Sequence, residues 1–154
     1  MTGLSGQHKG RQARLPLILG AIGLLIIASA AYLSWQANST GGGTPQLAVD
    51  QKVIDFGHLQ DYTEKTFSIK VTNTGTGTLR FQEKPYVQVQ DGCCPPDLSV
   101  GAMSLKPGES TMVTSATFRM HPGMDGKHDY AVHLVTNDST QPDVVVHVLS
   151  DWSQ

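Results

Sequence analysis

The chain has 154 residues, with eleven Lys and Arg against thirteen Asp and Glu, for a net charge of −2. That length supports one hydrophobic core rather than two. The charge balance leaves no basic patch for nucleic acid.

Residues 1–14 form a basic arm carrying Lys9, Arg11 and Arg14 and no acid. Residues 15–35 follow with no charged side chain. A bilayer core is crossed by about 20 apolar residues of helix, so this stretch predicts one transmembrane helix. The basic arm would hold its side in the cytoplasm, and Tyr32 and Trp35 would anchor the far interface. A cleaved secretion signal is the rival reading, with Ala28, Ser29 and Ala30 as small residues near a cleavage site. Either reading exports the remainder. The expected localisation is a single-pass cell-membrane protein with its C-terminal domain in the periplasm or outside the cell.

Residues 36–46, QANSTGGGTPQ, have the composition of a flexible linker. Residues 47–154 carry eight Lys and Arg and thirteen Asp and Glu, a mildly acidic surface. This part reads as strands. Phe67, Ile69 and Val71 alternate with Ser68, Lys70 and Thr72, the period of a half-buried strand. Asn73-Thr74-Gly75 closes it. Short strands follow around Leu79 to Phe81 and around Val87 to Val89. Lys106-Pro107-Gly108-Glu109 is a turn, and residues 110–118 are a strand. Residues 130–135 alternate again, and the run from Val144 to Leu149 is apolar on both faces apart from His147, as in a central strand. Short strands with frequent turns predict an all-β, immunoglobulin-like β-sandwich behind the N-terminal helix.

Two loops carry unusual chemistry. DGCCPPD, residues 91–97, holds both cysteines side by side. Neighbouring Cα atoms are about 3.8 Å apart, against about 4.4–6.8 Å in an ordinary disulfide. A structural staple is therefore excluded, which leaves a strained redox pair, a bridge to another chain, or thiolates that hold a metal. The second stretch, RMHPGMDGKHDY, places Met120, His121, Met124 and His128 in a turn-rich segment. Thiolate, thioether and imidazole together favour Cu(I). The expected metal ligands are Cys93, Cys94, Met120, His121, Met124 and His128. They meet only if a short strand within residues 97–109 returns the chain to the same end of the sandwich. Arg119 would then lower the thiolate pKa values. His133 and His147 read as ordinary strand histidines.

The order Asp55-Phe56-Gly57, Phe67 to Gly75, the cysteine loop, Leu105 to Ser110, Thr136-Asn137-Asp138 and a final Val-rich strand resembles the bacterial DUF1573 family. Those immunoglobulin-like domains are related to ASH and major-sperm-protein-like sandwiches. The resemblance implies an adhesion or scaffold module. It departs at the cysteine loop, where Gly92-Cys93-Cys94-Pro95 stands in place of a Cys-Gly-Cys-Thr loop.

No hydrolytic constellation is present, so no enzyme activity is expected. The leading functional expectation is a membrane-tethered copper-binding module that serves an exported metalloenzyme or another membrane protein, with the bilayer itself contacted through residues 15–35. The alternatives are a metal-independent interaction or assembly module and a thiol–disulfide exchange protein. The last lacks the spaced Cys-x-x-Cys pair that tunes such chemistry.

Overall fold

The computed structural model describes Ile26, Ser29 and residues 42–154. Ten strands make the domain: β1 (Leu47–Val49), β2 (Val53–Gln60), β3 (Ser68–Asn73), β4 (Leu79–Arg80), β5 (Tyr86–Asp91), β6 (Leu98–Val100), β7 (Ser104–Leu105), β8 (Ser110–Ser115), β9 (Gly126–Val135) and β10 (Asp143–Ser153). One sheet has the order β1-β3-β8-β6, and the other β2-β10-β9-β5. A small β4-β7 ladder stands beside them.

Alternation builds the core. On β3, Ile69 and Val71 are fully buried while Ser68 and Lys70 face out. Val113 of β8 lies opposite Ile69. On β9 the inward row is His128, Tyr130, Val132 and Leu134, and on β10 it is Val144, Val146, Val148, Ser150 and Trp152. The apolar members of both sheets form one cluster. Each buried aliphatic or aromatic side chain contributes about 1.5–3 kcal/mol. Phe118, beyond β8, meets Phe56, Phe67, Tyr130 and Trp152 edge-on at centroid distances of 6.1–6.4 Å. Edge-on contact sets the positive rim of one ring against the negative face of the next.

The Val-rich segment is central, as its composition predicts: β10 runs parallel to β2 and antiparallel to β9. Two features differ from the sequence reading. β2 is a full edge strand that the Gly57 turn signal hides, because Gly57 has φ +63° inside it. β9 begins at Gly126, so His128 sits inside a strand rather than in the preceding loop. Residues 43–46 are hydrogen-bonded to the turn after β3. Thr76 and Gly77 donate to the Thr44 carbonyl, and Thr74 donates to that of Gln46. A Cβ on Gly43 would lie 2.3 Å from the Thr76 backbone, so only glycine permits that approach.

The expected transmembrane helix over residues 15–35 gains no support. Among the described residues, no helix is long and apolar enough to cross a membrane. Apart from Ile26 and Ser29, which are helical, that segment lies outside the described residues. The all-β part of the expected fold class stands. The transmembrane helix, the single-pass localisation and the bilayer contact, all drawn from residues 15–35, gain no support from the described residues.

Two buried polar side chains tie the turns to the sheets. Asn73 donates from Nδ2 to the carbonyls of Gly77 (2.7 Å) and Leu105 (3.0 Å), and its Oδ1 accepts from Gly75 N–H (3.0 Å). Asp138 accepts from the N–H groups of Leu47 (2.9 Å), Thr140 (2.8 Å) and Gln141 (3.3 Å) and from the Thr140 hydroxyl (2.7 Å). Burial alone would push the Asp138 carboxyl up. The Thr140 hydroxyl and the three backbone donors outweigh burial and hold it below its usual range.

Two outcomes follow from Asp138. Asp138→Ala orphans the buried Leu47 N–H, and chemical denaturation should show a loss of about 1–3 kcal/mol. Because the folded carboxyl is depressed, its stabilisation is complete above the ordinary carboxylate range, about pH 4, and is lost as pH falls below it. The acid limb of a stability–pH curve should therefore be shallower in Asp138→Asn than in the wild type.

Candidate functional site

The cysteine loop and the segment after β8 meet at one end of the sandwich. The reason is β6. It returns the chain antiparallel to β8, with Leu98 opposite Ser115, and the Ala116 N–H donates to the Asp97 carbonyl at 2.8 Å. Residues 92–97 and residues 116–126 therefore leave adjacent strand ends.

Three contacts hold the loop against β9. Tyr130 is wholly buried, and its hydroxyl donates to the Cys93 carbonyl, with the Cys94 carbonyl at 3.4 Å. Burial pushes this hydroxyl well above the usual phenol range, with the neighbouring sulfurs adding to the effect, so it remains a donor. Gly92, at φ +84°, lies flat on the His128 ring. A Cβ there would stand 2.3 Å from His128 Cδ2. Cys94 adopts φ +55°, a left-handed backbone that a non-glycine residue seldom takes.

The sulfurs follow from that backbone. Cys93 is half-buried and Cys94 exposed, and both are free thiols. Cys93 Sγ lies 4.0 Å from His128 Nε2, and Cys94 Sγ lies 3.8 Å from Met124 Sδ. His128 is 3% exposed. Its Nδ1 faces the Gly126 carbonyl at 3.1 Å and donates to it, which leaves Nε2 turned toward Cys93. A hydrogen bond with the Cys94 thiol, then burial, then the charge of the neighbouring sulfur push the Cys93 thiol up.

The remaining candidates lie elsewhere. Met120 is fully buried in the core. His121 is exposed and near Asp61, with Nδ1 3.4 Å from the Pro122 carbonyl. Asp61 is itself pushed up by burial and by Asp125. Arg119 pairs with Glu64 at 3.2 Å, and the Cys93 thiol moves up rather than down as Arg119 was expected to drive it. Among the described residues, no group of three or more His, Cys, Asp or Glu is placed to hold a metal ion. This overturns the expectation of Cu(I), and with it the copper-delivery reading and the exported metalloenzyme as partner. The structure joins Cys93, Cys94, Met124 and His128 but leaves Met120 in the core and His121 beside Asp61.

His133 and His147 are satisfied strand histidines, as their alternation suggests. His133 bonds Asp143 at 2.8 Å and stacks on Tyr86, and His147 bonds Asp129 at 2.9 Å. Sequence reading missed Tyr130 and Gly92 as the residues that hold the loop. The available signals were a Gly directly before the cysteines and a Tyr on the inward row of a strand.

No curated protein matches the chain. Among solved structures, a protein of unknown function from Porphyromonas gingivalis W83 is similar at 20% identity and TM-score 0.54, over 73% of this chain and 48% of that one. The secreted serine protease VesC from Vibrio cholerae is similar at 15% identity and TM-score 0.53, over 69% and 23%. The Vibrio cholerae VesB protease is similar at 21% identity and TM-score 0.50, over 69% and 32%. The chain thus spans less than half of each of these proteins, and the likeness is one of fold. The immunoglobulin-like part of the sequence resemblance stands, whereas the narrower DUF1573 assignment gains nothing from these matches. Residues 45–150 match the HYDIN/CFA65/VesB-like, Ig-like domain, and the chain belongs to that family.

Proposed function

We propose that the domain is a non-catalytic interaction module that pairs an extended segment of a protein partner with the open edge of β5. The observation that carries this reading is the edge itself. β5 is six residues long and, among the described residues, pairs only with β9. Tyr86 and Val89 are 42% and 37% exposed. An unpaired edge offers a row of N–H and C=O groups to another chain, and proteins blunt such edges with Lys, Pro or bulges. Within β5 there is no Lys or Pro, and its one irregularity comes at its end, between Val89 and Asp91.

A recess of about 270 Å³ flanks the strand, lined by the charged Lys84 and Asp97 as well as by Tyr86, Val87, Pro96 and Leu98. Backbone pairing supplies affinity in this mode of recognition, and a pocket for an alternate side chain supplies selectivity. The partner segment is therefore extended, with one side chain in a recess of mixed polarity. The absence of catalysis is part of the same proposal: a nucleophilic cysteine needs a lowered pKa, and that of Cys93 is raised. A closer kinship with DUF1573 domains, on the motif order noted above, also belongs to it.

The check is affinity capture with the full chain from its native source, run beside Tyr86→Lys/Val89→Lys and Cys93→Ser/Cys94→Ser. A partner held by the wild type and the cysteine variant, and lost by an edge variant of unchanged melting temperature, is the expected result. Equal capture by the edge variant would remove β5 as the binding edge.

A further inference from the structure

We propose that the segment paired with β5 carries a basic side chain, Arg or Lys, which enters an acidic trough on the outer face of the β2-β10-β9-β5 sheet. This deepens the β5 reading and rests on it.

The trough is about 560 Å³ and is lined from all four strands. Its shape comes from two irregularities at one level. The register of β10 on β2 shifts between Leu149 and Asp151, and that of β5 on β9 shifts between Val89 and Asp91. Leu149 and Asp91 both lie opposite Asp129, so the two shifts flank the same residue of β9. The extra residue falls on the outer strand each time, and in β2 Gly57 takes φ +63° there. A bulge bends its strand and increases the local twist. Bulges on both outer strands curl the sheet about its central pair.

The walls are acidic. Asp55, Asp91, Asp129 and Asp151 line the trough, against Lys127 and His58. Asp129 alternates with the buried His128 and Tyr130, so it faces outward. Asp91 is its direct cross-strand neighbour on β5. Like charges directly opposite each other destabilise a sheet. Among the described residues, none of these aspartates is ion-paired with Lys or Arg. Asp91 accepts only the Gly92 N–H at 2.9 Å, and Asp129 bonds His147 at 2.9 Å. The row therefore lacks a fixed positive charge.

The open edge supplies the route for one. Neighbouring strands lie about 4.8 Å apart. A strand added to β5 sets the side chain opposite Asp91 within reach of both that carboxylate and Asp129. A guanidinium presents a planar fork of donors, so Arg suits two adjacent carboxylates better than Lys does. The recess beside β5 is lined by Val87 on the core side, whereas Asp91 is on the outer side. Side chains alternate along a strand, so the basic residue lies an odd number of positions from the residue in the recess.

The test selects a random phage-displayed peptide library on the full chain. Synthetic forms of the recovered peptides are then measured by fluorescence anisotropy, with the basic residue present or replaced by neutral citrulline (for Arg) or norleucine (for Lys). Peptides that Tyr86→Lys/Val89→Lys no longer binds should share a basic residue. Their neutral forms should also be lost on that edge variant, which separates backbone pairing from charge. On the wild type the neutral form should bind several-fold more weakly at low salt, and the difference should shrink at about 1 M salt, where charges are screened within about 3 Å. Asp91→Asn/Asp129→Asn should bind the two forms alike, with the neutral form held as by the wild type. Asp91→Asn alone, which keeps the Asp129–His147 bond, should narrow the difference. Edge-dependent peptides without a basic residue, or equal affinity of the two forms for the wild type, would overturn the proposal and leave β5 as the binding edge. A charge preference that survives both Asn variants would overturn it too. A selection without edge-dependent peptides would remove the β5 reading and this one with it.

Discussion

The hydroxyl of Tyr130 is the contact on which this end of the molecule depends. The ring belongs to the core, where it meets Phe118 edge-on. The oxygen reaches out of the core to the backbone of Cys93 and Cys94. A buried hydroxyl without an acceptor is costly, so Tyr130 and the loop carbonyls satisfy each other. The loop is therefore positioned by the best-packed part of the sandwich, and the sulfurs inherit that order.

The same logic recurs at the turns. Asn73 and Asp138 are fully buried polar side chains, and each spends its hydrogen-bonding capacity on backbone groups that no strand partner reaches. Asn73 ties the β3 turn to residues 75–77 and to Leu105. Asp138 ties the turn before β10 to the first residue of β1. A two-sheet sandwich holds its sheets together largely through non-directional apolar contact. These directional bonds fix how the connections return.

A left-handed residue, a glycine laid on an imidazole ring and a half-buried thiol all lie just past β5. The edge that is open for pairing thus runs directly into the cysteine loop. The two features share one stretch of chain, but they rest on different physics. The edge depends on unpaired backbone groups. The cysteine loop depends on a backbone turn at Gly92 and Cys94 and on the Tyr130 hydroxyl.

Much of the architecture was legible in the sequence. The alternation at Phe67 to Thr72 and at Tyr130 to Val135 marked strands with one buried face, because side chains in a strand alternate between core and solvent. The Val-rich run of β10 showed a central strand, since both of its faces are covered or paired. β2 was not legible: Gly57 reads locally as a turn, and only pairing with β10 carries the strand through it. Nor was the membrane reading upheld, because an apolar run in sequence does not by itself establish a spanning helix. The six proposed metal ligands were chosen by residue type, and type carries no information about direction. The fold sends Met120 inward, leaves His121 beside Asp61, and draws His128 into β9. The sequence by itself determined the all-β class, the principal strands and the adjacency of the two cysteines. Only the tertiary structure decided which side chains share a site, because that depends on β6 bringing two distant loops to one end and on Tyr130 and Gly92 seating the cysteine loop against β9.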